Sequence, residues 1–220
     1  PNMQPVKWVS DWPVIGNDGA LYTTCAKPVT SVASPRQPLP TNDNFRSYPL
    51  GMQWQWNHHP DDGSWSLFER PGWMRLSTSG TAQRLTQARN MLTQRIFAFD
   101  NKPSIGTVRM DVSQLQEGDV AGICIFQDPY AMLSVQVKAG KQYLGWRQDT
   151  LRTSSFTPAE KRIEIQTDSI IYLRASISYS TSKTRFYYSF DNVTYQSLGG
   201  ETTLGYNLSV FVGARFGLYC

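Results

Sequence analysis

Proton-moving side chains are few and scattered in this chain. His58 and His59 are adjacent, so in extended backbone they point to opposite sides. Neither has a Ser or Cys nucleophile close by in sequence, and a hydrogen-bonded structural role suits the pair better than general-base catalysis. Paired carboxylates would have to come from Asp61-Asp62, Glu69, Glu117 or Asp119. All of these flank turns, where acidic side chains accept backbone N–H bonds and keep the loop soluble. There is no glycine-rich phosphate loop leading into a helix, no HExxH and no GxSxG. Cys25, Cys124 and Cys220 are odd in number and widely spaced, without a zinc pattern. Cys124 sits in Ala-Gly-Ile-Cys-Ile-Phe and reads as a buried small hydrophobe. A self-contained hydrolytic site is not expected.

The chemistry that remains belongs to seven Trp, eleven Tyr and ten Phe. Sugar rings have apolar C–H faces and a rim of hydroxyls. Indole and phenol rings match those faces, and Gln, Asn, Arg and Asp satisfy the hydroxyls. Most aromatics must fill a core, and Trp54, Trp56 and Trp65 lie in a dense segment suited to a buried anchor. Trp73, Tyr143 and Trp146 neighbour polar alternating positions and are the candidates for an exposed sugar-binding face, with Arg89 and Gln136 as polar partners.

Such a face needs strands to carry it. From residue 45 onward, period-2 runs alternate with turns. Gly106 to Val112 places Val108, Met110 and Val112 on one side. Ala121 to Phe126 is a continuous apolar run suited to a fully buried strand. Leu133, Val135 and Val137 face in while Ser134, Gln136 and Lys138 face out. Trp73 to Leu76, Arg162 to Gln166, Ile170 to Ser178, Arg185 to Phe190 and Val210 to Tyr219 continue the pattern. Thr81 to Arg95 carries some helical spacing, but its Thr content and missing glycine cap favour strand and loop. About ten strands at roughly 8–12 residue intervals predict an all-β fold, an antiparallel β-sandwich. Residues 1–20 read as two short strands and an Asn-Asp-Gly turn, and residues 21–44, with four prolines among Thr, Ser, Asn and Asp, as an extended linker.

Composition agrees. With 220 residues the chain buries roughly 70% of its unfolded surface, so its core needs no disulfide or metal staple. Charged residues at 17% and apolar residues at 40% exclude disorder, coiled coil and collagen. A net charge of +4 without basic runs beyond Lys161-Arg162 predicts no nucleic-acid partner, and no apolar window is long enough for a membrane helix. The start, Pro-Asn-Met-Gln-Pro, has neither initiator Met nor signal features, which predicts a piece of something longer.

The segment Leu50 to Leu76, LGMQWQWNHHPDDGSWSLFERPGWMRL, resembles the opening of the C-terminal β-sandwich of glycoside hydrolase family 43 β-xylosidases and arabinofuranosidases. The family pattern has a WQWN tract, then NPD, then WSL-ERPG-LRL; His59 and Phe68 stand where Asn and Thr are usual. The resemblance continues through Gln87-Ala88-Arg89-Asn90, Thr93-Gln94-Arg95, Asp119-Val120-Ala121-Gly122 and Phe186-Tyr187-Tyr188-Ser189. It closes with Phe211-Val212-Gly213-Ala214-Arg215-Phe216-Gly217-Leu218. Lys7-Trp8-Val9 and Asp11-Trp12-Pro13-Val14-Ile15-Gly16 are similar to the last strand of the family's catalytic propeller.

The resemblance implies a concanavalin A-like jelly roll over residues 45–220, a xylan-binding module of carbohydrate-binding family 91. Its implied partners are xylan or arabinoxylan and the propeller of its own parent enzyme, in a secreted or cell-associated bacterial polysaccharide-degrading system. The family's catalytic acids lie in the propeller, so no catalytic residue carries over and no cofactor is required. A second implied role is structural, the sandwich packing on the propeller and narrowing the active-site mouth, with Phe216 as the residue resembling that reach. Jelly rolls often hold calcium; Asp61, Asp62, Asp119 and Asp191 are oxygen donors in turns, although no loop has DxDxDG spacing.

Overall fold

Strand after strand in the later part of the chain carries apolar residues at every second position, and the computed structural model stacks two sheets on them. It describes residues 3–29, 35, 38–97, 102–151, 158–167, 169–205 and 208–220. Part of the 21–44 linker, residues 30–34, 36 and 37, lies outside these. The chain divides into two compact units, Pro1–Leu39 and Pro40–Cys220.

The first unit holds β1 (Val6–Val9) and β2 (Trp12–Ile15), an antiparallel hairpin. Ser10 and Asp11 both take positive φ at its two-residue turn, which matches the twist of the flanking strands. Gln4 clamps Tyr22 through two side-chain to backbone bonds.

In the second unit the strands are β3 (Trp54–Trp56), β4 (Trp65–Ser66), β5 (Arg75–Leu76), β6 (Leu92–Arg95), β7 (Ser104–Asp111), β8 (Val120–Phe126) and β9 (Tyr130–Lys138). There follow β10 (Lys141–Asp149), β11 (Ala159–Ile165), β12 (Ile170–Ser178), β13 (Lys183–Ser189), β14 (Gln196–Ser197), β15 (Thr202–Thr203) and β16 (Arg215–Tyr219). A seven-stranded sheet runs in the order β11-β10-β9-β8-β16-β6-β3, and a five-stranded sheet consists of β14-β13-β12-β7 with β15 also on β13. All the pairings are antiparallel. This is the antiparallel sandwich expected from the sequence.

The core lies between the sheets. Ile123, Ile125, Leu133, Val135 and Leu144 of the larger sheet meet Ile171, Leu173, Ile177 and Phe186 of the smaller one. A second apolar cluster covers the middle of the larger sheet's outer face, where Leu85, Ala88, Met91 and Val210 pack with Cys124, Phe126, Tyr130 and Tyr219. Cys124 is fully buried, as its sequence context predicted, and burial pushes its thiol pKa far up. The segment from Thr81 to Arg95 forms loop, a 3-10 turn at Leu85–Gln87 and β6, not a long helix. Two expected strands are shorter than anticipated. Val210 to Tyr219 is strand only from Arg215, because Leu208–Val210 is a 3-10 turn and Gly213 adopts positive φ. Trp73 to Leu76 is strand only over Arg75–Leu76, after the turn in which Gly72 has φ +84°.

Trp54, Trp56 and Trp65 are half-buried. Trp54 stacks on Phe45 and donates from Nε1 to Asp43 at 2.7 Å, while Trp56 leans on Trp65 with centroids 5.2 Å apart. Among the described residues, no helix is long and apolar enough to cross a membrane.

Candidate carbohydrate-binding face

Register decides which side chains share the outer face of the seven-stranded sheet. Directly opposed residues project to the same side. Tyr143 stands opposite Gln136 on β9 and Glu164 on β11. In the next row Gly145 lies between Ser134 and Arg162, and beyond it Arg147 lies between Met132 and Glu160. The intervening Leu144 points into the core, so these rows form one outward surface.

Local contacts shape that surface around Tyr143. The Arg162 guanidinium carbon is 4.8 Å from the Tyr143 ring centroid, within cation–π range. Gln136 Nε2 donates to Ser134 Oγ at 3.0 Å, and that hydroxyl donates to the Gly145 carbonyl at 3.2 Å. Gly145 makes room for the amide: a Cβ there would stand 2.4 Å from Gln136 Nε2. Lys141 pairs with Glu164 at 3.0 Å at the rim. The β9–β10 hairpin is pinned by Glu117, which accepts from the Ala139 and Gly140 amides at 2.7 and 3.0 Å. Those bonds hold its carboxyl below the usual glutamate range. The result is a half-exposed phenol bordered by an amide, a guanidinium and a carboxylate, over a floor of glycine and serine.

The other expected site residues do not all join this group. Trp146 is only 5% exposed and belongs to the core, a correction to its placement on the face. Positions 143 and 146 are three apart in one strand, so they must face opposite ways. Gly199, in the left-handed region at φ +87°, lies against the Trp146 ring so closely that a Cβ would fall 2.1 Å from Cδ2. Trp73 lies by β7, where Arg70 and Arg109 approach its ring centroid at 4.2 and 4.8 Å. Arg109 alternates with the core-packed Val108 and Met110, which puts this group on the outside of the smaller sheet, away from Tyr143. Arg89 is exposed on the segment that covers the larger sheet, between buried Ala88 and Asn90. Phe216 does not reach outward. It alternates with outward Arg215 and Gly217 and packs on the core, its ring atoms 3.0–3.1 Å from where a Cβ on Gly106 would be.

The turn carboxylates cap loops. Asp61 accepts from Gly63 N and Ser64 Oγ, Asp62 from Trp65 Nε1 and Asp119 from Gln116 N. Asp191 accepts from the Val193 and Thr194 amides at 2.8 Å, and these bonds hold its pKa at about 2. Among the described residues, no three His, Cys, Asp or Glu gather as a metal-binding group. His58 Nε2 lies 2.8 Å from the Thr86 carbonyl and joins β3 to the covering segment, a structural contact. Arg162 and Glu164 carry no site signal in the linear sequence, and Ser134 is expected there only to face outward. Only cross-strand register brings them to Tyr143.

Residues 42–220 match the family described as the β-xylosidase C-terminal concanavalin A-like domain. The chain belongs to this family. Over 247 aligned residues, 99% of the chain and 39% of the relative, it is 30% identical to a β-xylosidase of Formosa agariphila. It thus spans about two fifths of that relative's length. Among solved structures it is similar to a bifunctional GH43-CE protein of Bacteroides eggerthii, with TM-score 0.75, 33% identity, and coverage of 98% of this chain and 28% of that one. It is also similar to a family 43 glycoside hydrolase engineered to display both endo-xylanase and exo-arabinofuranosidase activity, with TM-score 0.74, 28% identity, and 98% and 45% coverage. Residues 42–220 are therefore an accessory β-sandwich of the family 43 type, not the catalytic propeller.

Proposed function

We propose that the sandwich binds xylan or arabinoxylan on the outer face of its seven-stranded sheet, on behalf of a family 43 catalytic domain in a parent β-xylosidase or arabinofuranosidase. The observation that carries this reading is the grouping of Tyr143, Gln136, Arg162 and Glu164 over Ser134 and Gly145. A phenol takes the C–H face of a pyranose, and the surrounding planar groups bond its hydroxyls. The β-xylosidase name of the Formosa relative supports this sugar class. Affinity is modest, because a shallow face offers few stacking contacts and ordering a flexible sugar chain offsets part of their benefit. Calorimetric titration of a xylooligosaccharide into the wild type and Tyr143→Ala tests the face. Loss of heat in the variant supports it; unchanged binding refutes it.

A second reading rests on different residues. Tyr48 and Phe68 are 66% and 70% exposed, with ring centroids 5.1 Å apart. Exposed paired aromatics suit a contact surface. They favour a structural accessory domain that packs on the catalytic domain and shapes its mouth without sugar affinity of its own. Under this reading the titration gives no heat with either protein.

A further inference from the structure

Two arginines face each other across the β6–β16 ladder, Arg95 directly opposite Arg215. Like charges at opposed positions weaken a sheet. Arg215 is moreover only 7% exposed. Its Nη1 donates to Thr93 Oγ1 at 3.2 Å and its Nη2 to Asn57 Oδ1 at 2.8 Å, and its guanidinium carbon lies 5.2 Å from the Phe126 ring centroid. Nε has no partner. These neighbours are all neutral. Among the described residues, no Asp or Glu pairs with either arginine. A buried charge without a counter-ion is a costly feature for a fold to keep. Burial, together with the charge of Arg95, pulls the Arg215 pKa down, yet a guanidinium does not escape the cost by losing its proton.

A negatively charged group brought from outside is the kind of partner that offsets such a penalty. Arg95 is exposed, so the pair is open to solvent on its side, and Arg215 projects to the same sheet face as Tyr143. By register the Arg215 row runs through Phe126 to Tyr130 and Asp149. The pair thus lies three strands across and six residues along from Tyr143, roughly 24 Å away at about 4.8 Å per strand and about 3.3 Å per residue, a span for an oligosaccharide of several sugars. Gln55, opposite Thr93 on β3, is exposed on that face and adds an amide suited to sugar hydroxyls. We propose that Arg95 and Arg215 form a carboxylate subsite that takes the uronic acid branch of an acidic xylan. The inference rests on the xylan-binding reading of this face. The guanidinium forks match a carboxylate in geometry as well as charge.

The test is titration of the whole chain with two xylooligosaccharides of equal backbone length, one neutral and one with a single glucuronic acid branch. The wild type should bind the acidic one roughly tenfold tighter, as expected for hydrogen bonds to a charged group. Arg95→Gln, at an exposed position, should keep the fold and the neutral affinity and lose that preference. Equal affinity for both sugars in the wild type would overturn the subsite alone. So would a preference that survives in Arg95→Gln, or one that sodium chloride and sodium acetate at equal ionic strength erode alike, since that is screening of a diffuse charge; stronger competition by acetate supports a carboxylate site. Absence of binding to both sugars would remove the xylan reading and the subsite with it.

Discussion

A single strand, β10, carries both Tyr143, proposed to meet the sugar, and Trp146, which faces the other way. Tyr143 lies beside Gln136 and Arg162 on the outer face, and Trp146 is sealed in the core against Gly199. The two therefore respond differently to truncation. Tyr143→Ala should abolish or sharply weaken xylan binding with little change in melting temperature, because the ring is only partly buried. Trp146→Ala should cost about 3–5 kcal/mol of stability, the usual range for a buried aromatic. Paired denaturant melts and sugar titrations on the two variants check this; a stability loss in Tyr143→Ala as large as in Trp146→Ala would contradict the placement. Sequence alone listed both residues together, because the polar neighbours of a strand residue do not say which side of the sheet it faces.

The loop carrying Trp73 is tied to β7 through Arg70, which bonds Asp111 at the strand's end while approaching the Trp73 ring. Burial pulls the Asp111 pKa up, but the bonds from Arg70 and Ser113 outweigh it and bring the carboxyl from 3.8 to about 2. A depressed carboxylate pKa stabilises the fold above the unfolded value, and that contribution fades as pH falls from about 4 towards about 2. Asp111→Asn should flatten the pH dependence of stability in that window, and Arg70→Met should flatten it in part because the Ser113 bonds remain. Urea midpoints measured from pH 5 down to 2.5 test this; an unchanged slope in Asp111→Asn would refute the assignment. At this scale the sequence was most legible where alternation is clean. β7, β8, β9, β12 and β13 fall where Val108 and Met110, Ile123 and Ile125, Leu133 and Val135, Ile171 and Leu173, and Phe186 predict them. β10 was not singled out, because Gly145 and the polar residues of Lys141–Asp149 dilute its alternation. Register between strands is set by tertiary pairing, which is why the Tyr143–Arg162 and Arg95–Arg215 neighbourhoods had no signal in the linear order.

For the molecule as a whole, the described residues contain short 3-10 turns and two large antiparallel sheets, and the family match places them in the accessory part of a glycoside hydrolase. Glycoside hydrolysis needs two carboxyl groups on either side of one bond. The turn carboxylates here are separately engaged in capping loops. Purified chain should therefore release no product from aryl xylosides or arabinosides, and turnover that co-purifies with it through successive columns would contradict this. Whether the sandwich itself recognises sugar is read out by affinity electrophoresis of this chain. Migration should be slowed in native gels containing soluble arabinoxylan, hardly affected by a soluble cellulose derivative, and restored to the sugar-free rate in Tyr143→Ala. Migration that arabinoxylan leaves unchanged at every workable concentration would contradict the account and leave the structural role of the exposed Tyr48–Phe68 surface in its place.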